Sequence, residues 1–249
     1  MCFDTDSAPP IPVLAGAAVS HDHLELTAAD GNRFSAFLAT PDEQAATGVV
    51  IYPDVRGLYR FYEELALRFA ERGHAAIVFD YFGRTAGTGT RGDDFEFMPH
   101  VERTTDEGVQ ADARAAVERL RAGGVTTVFS VGFCFGGRAS WIGAASGHGL
   151  AGAVGFYGSP TRERGGPSAV ALAPRMTCPV LALQAGDDQG ITADDNAAFD
   201  QALGEAGVEH EVVVFAGAPH SFFDRKQEEF AAASDDAWRR VVEFIARHA

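Results

Sequence analysis

Four side chains able to perform acyl transfer stand in a particular order along the second half of the chain. Cys134 lies in VGFCFGG, Asp187 and Asp188 in QAGDDQGIT, and His220 in FAGAPHSFFD. A thiol attacks a carbonyl efficiently once a base has taken its proton, and the base needs a third group to hold its ring. Nucleophile, then acid, then histidine is one chain order that meets this requirement. Each residue alone has a plainer explanation, because free cysteine is usually buried and inert and loop acids and histidines are usually solvated.

The turn around Cys134 argues for chemistry. Val128 to Val131 reads as a strand, Gly132-Phe133-Cys134-Phe135-Gly136-Gly137 as a sharp turn, and Arg138 to Ser146 as a helix. Strand and helix approach closely at such an elbow, so glycines are needed where a Cβ would clash. The same turn aims the amide N–H of Phe135 at the oxyanion that forms when a carbonyl is attacked. Asp187 and Asp188 follow the apolar run Pro179 to Leu183, and His220 follows Glu211 to Phe215. All the candidates therefore fall at the C-terminal edge of one sheet, where α/β proteins place their sites.

That sheet is visible as short runs apolar on both faces: GVVIY from Gly48, AAIVF from Ala75, TVFSV from Thr127, AVGFY from Ala153, PVLAL from Pro179 and EVVVF from Glu211. Such runs belong to buried parallel strands. Between them lie helical stripes at Glu63 to Arg72, in EGVQADARAAVERLR, at Asp194 to Ala206, and in a closing helix with Phe230, Ala237, Trp238, Val241 and Ile245 inward. His23 to Thr27 and Arg33 to Ala39 flank Asp30-Gly31 and predict an antiparallel hairpin. The expected architecture is a mostly parallel, doubly wound α/β sheet with an N-terminal hairpin and helices on both faces. It forms one domain over 1–249, with 1–20 as a flexible arm. Segments 81–103 and 159–176 are long, rich in Gly, Pro and charge, and loops of this kind often cover a site.

The chain carries 35 acidic and 20 basic side chains, a formal charge of −15 over 249 residues. That charge argues against nucleic-acid and membrane partners. No apolar run reaches the roughly 18 residues of a membrane span. Asp4 and Asp6 occupy the place where a secretory signal is positively charged. The three cysteines, Cys2, Cys134 and Cys178, show no paired spacing, so a reducing, cytoplasmic compartment fits, and Cys2 and Cys178 read as incidental or structural. GTGTRG, from Gly87, has the spacing of a dinucleotide motif but lacks the strand before and helix after that the motif needs. His21 and His23 form the H-x-H pair and have no matching cluster elsewhere. Neither a metal nor an organic cofactor is expected.

GFCFGG, GDDQGI and PHSFFD, in this order and spacing, resemble the motifs of the dienelactone hydrolase family within the α/β-hydrolase fold. The likeness runs from about the first hairpin onward. It implies that Cys134 is the nucleophile and His220 the base. It favours Asp188 over Asp187 as the acid, because the family's acid stands three residues before an aliphatic residue, here Ile191. It further implies that Asp54 in PDVRGL meets the resting thiol and that Val55 N–H is a second oxyanion donor. Arg84 in FDYFGR would hold a substrate carboxylate. A second arginine is expected after the histidine, where Asp224 takes the matching place and Arg225 comes one later. The implied activity is hydrolysis of a small-molecule ester or lactone through an acyl-thioester, and a monomer or small homo-oligomer is expected. A general short-chain carboxylesterase is the nearest alternative. A thiol redox enzyme or a catalytically silent binding protein are the alternatives from other classes.

Overall fold

Eight strands form one sheet in the computed structural model, which describes residues 6–224 and 229–249. They are β1 (Val19–Thr27), β2 (Arg33–Pro41), β3 (Thr47–Tyr52), β4 (Ala75–Phe79), β5 (Thr127–Phe133), β6 (Gly152–Phe156), β7 (Val180–Asp187) and β8 (His210–Pro219). The order across the sheet is β1-β2-β4-β3-β5-β6-β7-β8. β1 with β2 and β2 with β4 are antiparallel, and the remaining pairs are parallel. All six doubly apolar runs become strands of the parallel part. β4 and β6 are buried at every position, as covered faces on both sides require. The hairpin register pairs Thr27 with Arg33, so its turn takes up residues 28–32 around Asp30-Gly31.

Helices cover the two faces. α1 (Arg60–Ala70) and α8 (Ala231–His248) bring Phe61, Leu65, Val241 and Ile245 to one core; α4 (Asp106–Ala122), α5 (Phe135–Ala144) and α7 (Ala193–Glu205) bring Val117, Trp141 and Phe199 to the other. Their starts are encoded locally. Thr105 Oγ1 accepts from Gly108 N–H at 3.1 Å at the head of α4, with Asp106 and Glu107 in its first turn. A cap of this kind contributes about 1 kcal/mol, and the acids complement the positive end of the helix dipole. α5 begins at Phe135, ahead of the expected Arg138, because the elbow closes its first turn: Cys134 C=O accepts from Gly137 N–H at 3.1 Å.

The long loops contain single turns of helix: α2 (Gly83–Ala86) and α3 (Met98–Val101) in the first, α6 (Ala169–Leu172) in the second. The N-terminal segment departs from a flexible arm where it is described. Ser7 and Ile11 are buried, Arg72 Nη2 donates to Pro12 C=O at 3.2 Å, and Leu14 N–H donates to Glu71 Oε2 at 3.1 Å. Ile11 gains a place in the α1 core, which offsets the ordering cost. Cys2 lies outside the described residues. Among the described residues no helix is long and apolar enough to cross a membrane, and no group of His, Cys, Asp and Glu has metal-site geometry.

Candidate active site

The carboxyl ends of β5, β7 and β8 open into a cavity of about 620 Å³, within the usual range for small-molecule sites. Cys134, Asp188, His220, Val55 and Phe135 all line it. Asp187 lines it too, on the exposed side.

Cys134 has φ 54° and ψ −112°, a left-handed backbone that a non-glycine residue adopts only under constraint. The neighbours explain the constraint. A Cβ on Gly132 would stand 2.0 Å from Gly136 C=O, and one on Gly136 would stand 2.1 Å from Tyr52 C=O. The glycines let β5, β3 and α5 converge, and the turn leaves Cys134 half-buried at the start of α5. Two consequences follow for its chemistry. The positive end of the helix dipole favours a thiolate. Phe135 carries one of the first amides of the helix, which have no intrahelical acceptor.

Strain recurs at this place. Among the described residues, the non-glycine positions with positive φ are Cys134, Tyr157 (36°) and Ser221 (62°). Tyr157 lines the cavity with its ring 5.1 Å from the His220 ring, and Ser221 follows His220. Such positions cost about 1–3 kcal/mol each and tend to cluster where geometry is functional.

His220 Nδ1 donates to Asp188 Oδ2 at 2.5 Å. Asp188 Oδ1 also accepts from Gly190 N–H at 2.8 Å. Burial works to raise the Asp188 pKa, but the bond and charge of His220 and the amides of Gly190 and Ile191 outweigh it and hold it below the usual carboxylate range. An ionised Asp188 fixes the proton of neutral His220 on Nδ1 and leaves Nε2 as the acceptor. That Nε2 is buried and meets no hydrogen-bond partner among the described residues. The arrangement offers an elbow thiol, an oriented base and a pair of candidate oxyanion donors in one cavity.

Ion pairs hold the other expected residues among those described. Asp54 is buried in an ion pair with Arg56, whose Nε lies 3.0 and 3.1 Å from its two oxygens. Asp224 pairs with Arg56 from the other side. Arg84 is not brought to the cavity: it pairs with Asp30 in the hairpin turn and with Asp112 on α4, the latter at 2.8 Å. Gly83 explains this, because a Cβ there would stand 2.4 Å from Arg33 C=O; α2 is pinned on β2. Asp112, pushed up to about 6 by burial, is held by Arg84 and Asn32. Arg225 lies outside the described residues. Cys178 is buried in the core.

Cations that sequence reasoning passed over do line the cavity. They are Arg138, Arg162 and Arg164. Arg138 is spent on structure: its Nη1 and Nη2 meet the Asp106 oxygens at 2.6 and 2.8 Å, and its Nε donates to Arg162 C=O at 2.8 Å. This holds the β6–α6 loop over the cavity. Arg164 lies 5.0 Å over the Phe135 ring, and burial lowers its pKa. The arginine-rich SPTRERGGP marked this loop as a possible cover, but which side chains turn inward depends on where Arg138 anchors it. Arg56, beside Asp54 in PDVRGL, was legible as a charge pair and was missed.

Comparison with known proteins gives the family and the fold. The profile of the Dienelactone hydrolase family matches residues 34–249. A carboxymethylenebutenolidase of Rhodococcus opacus is 29% identical over 265 residues, covering 100% of this chain and 97% of the relative. The crystal structure of a candidate dienelactone hydrolase from Klebsiella pneumoniae superposes with a TM-score of 0.81 at 26% identity, covering 92% of this chain and 99% of that one. A Pyrococcus furiosus esterase shares the fold, with a TM-score of 0.71 at 14% identity over 98% of this chain and 99% of its own. The chain thus belongs to the dienelactone hydrolase family, as a carboxylic ester hydrolase with the α/β-hydrolase fold.

Proposed function

We propose that this hydrolase cleaves a small ester or lactone through Cys134, His220 and Asp188 by way of an acyl-thioester. The observation that carries the reading is the His220–Asp188 hydrogen bond in the same cavity as the strained elbow of Cys134. In the first half-reaction the thiol proton passes to His220 Nε2, Sγ bonds to the substrate carbonyl carbon, and the oxyanion is met by Phe135 and Val55 N–H. Collapse breaks the bond to the leaving oxygen, which takes the proton from His220. In the second, His220 takes a proton from water, hydroxide adds to the thioester carbonyl, and the C–S bond breaks. The acid leaves and the proton returns to the thiolate. An unassisted thiol of pKa about 8.5 is only a few per cent ionised at neutral pH, so the helix end and His220 matter. A catalytic thiol also suits a reducing, cytoplasmic setting.

Rapid-mixing kinetics with p-nitrophenyl acetate test this reading. Wild type should show a burst of p-nitrophenol followed by slower turnover, and Cys134→Ala should lose both. Wild-type turnover by Cys134→Ala would refute it.

A further inference from the structure

Behind the cavity a buried chain of polar side chains joins three segments far apart in sequence. Arg56 bridges Asp54 and Asp224, with Nη2 at 2.9 Å from Asp54 Oδ2 and also paired with Asp224 Oδ2. Ser7 Oγ donates to the other oxygen of Asp224. All four residues are buried. Their positions along the chain give the cluster its meaning. Asp54 immediately precedes Val55. Asp224 closes the turn that carries His220, with its N–H donating to Ser221 C=O at 3.0 Å. One guanidinium therefore ties the oxyanion loop to the histidine turn, and the N-terminal segment supplies the outermost bond.

We propose that Ser7 is a positioning residue for the catalytic site: its hydroxyl locks Asp224 against Arg56, and that pair fixes the His220 turn to the Val55 loop. The inference rests on the Cys134–His220–Asp188 reading and adds the N-terminal segment to it.

Electrostatics make the lock sensitive to one hydroxyl. Two carboxylates share one guanidinium away from water, so with both ionised the cluster holds an excess negative charge. Asp224 is pushed up to about 7, by burial first; Arg56 and Ser7 pull it down, and the charge of Asp54 adds to the rise. Among the described residues, the other ionisable groups near Asp224 are the hydroxyls of Tyr62 on α1 and Tyr157 after β6. Burial raises both well above 10, so they stay neutral. Among the described residues, the state of Asp224 is thus set by Arg56, Asp54 and Ser7. Without the Ser7 hydroxyl, one buried oxygen of Asp224 loses its donor, and the protonated carboxyl gains at the expense of the ion pair.

The test is kcat and KM for a neutral ester between about pH 5.5 and pH 9.5, on wild type, Ser7→Ala, Ser7→Thr and Asp224→Asn, with melting curves to confirm folding. Ser7→Ala should lose about fivefold in kcat at pH 7 with KM little changed, the fall in ionised Asp224 when a group titrating at about 7 moves up by about one unit. Its acid limb should move up by roughly one pH unit, with activity returning near pH 9 as Asp224 ionises. Ser7→Thr should stay near wild type, and Asp224→Asn should be low at every pH. A Ser7→Ala profile that superimposes on wild type, or a loss equal at every pH that Ser7→Thr does not rescue, would overturn the proposal. Cys134→Ala, run beside them, separates the failures. Full turnover there would refute the triad reading, whereas loss there with an unmoved Ser7→Ala profile would refute the role of Ser7 alone.

Discussion

Cys134 and Cys178 carry the same thiol at opposite edges of the same sheet. Cys134 follows β5 at the carboxyl edge, on a strained turn, with a helix N-terminus behind it and a cavity in front. Cys178 precedes β7 at the amino edge, inside the apolar cluster that contains Phe199 and Leu203. Burial pushes the Cys178 thiol up to about 12. The comparison teaches that, on the proposed mechanism, reactivity is set by backbone and edge rather than by residue type. Parallel strands lead into loops that converge at their carboxyl ends, and only there do β7 and β8 deliver Asp188 and His220.

The largest expected effect is the split between the two thiols. Cys134→Ala should lower turnover by at least about 10^5-fold, the scale seen when a nucleophile is removed from a triad. Cys178→Ala should leave kcat alone and cost about 1 kcal/mol in urea denaturation, for a small core truncation. If both variants lost activity alike, the contrast would collapse. Next comes Asp188→Asn, expected to lose about 10^4-fold in kcat through the wrong imidazole tautomer while leaving ester binding nearly intact. Labelling with iodoacetamide at neutral pH sharpens the comparison further. Cys134 should react at least about 100-fold faster than Cys178, following thiolate fraction and access. Comparable rates would show that the elbow confers nothing.

The smallest effect concerns charge at the cavity mouth. Arg162→Ala should raise KM about threefold for an ester bearing a free carboxylate and hardly for its neutral analogue, in line with loss of one exposed charge contact. Arg84→Ala should leave the ratio between the two substrates unchanged, because Arg84 is held by Asp30 and Asp112. Parallel changes on the two substrates in Arg162→Ala would remove this distinction.

Much of this was legible before any coordinates. The strands could be read because burial on both faces forces uninterrupted apolar runs, and the elbow because close approach forces glycine at positions 132, 136 and 137. The pair Asp187 and Asp188, and His220, could be placed because each follows such a run, and the resemblance to the family chose Asp188 of the pair. The arginines could not. A guanidinium can reach several partners from one backbone position, and the choice is made by distant segments. Arg84 is bound to a carboxylate 54 residues earlier, and Arg56 to one 168 residues later. The contact of Ser7 with Asp224 spans 217 residues and has no local signature, which is why the segment reads as a frayed arm from composition. Periodicity reports which face is buried; it does not report which charge meets which.

The most direct test of the central claim is to trap the acyl group. His220→Gln should still acylate slowly and should deacylate more slowly still, so incubation with p-nitrophenyl butyrate should load the protein with one butyryl group. Peptide mass spectrometry should then place that mass on the fragment containing Cys134 and leave the Cys178 fragment unmodified. Butyrylation elsewhere, with the Cys134 peptide bare while ester is being consumed, would contradict the account.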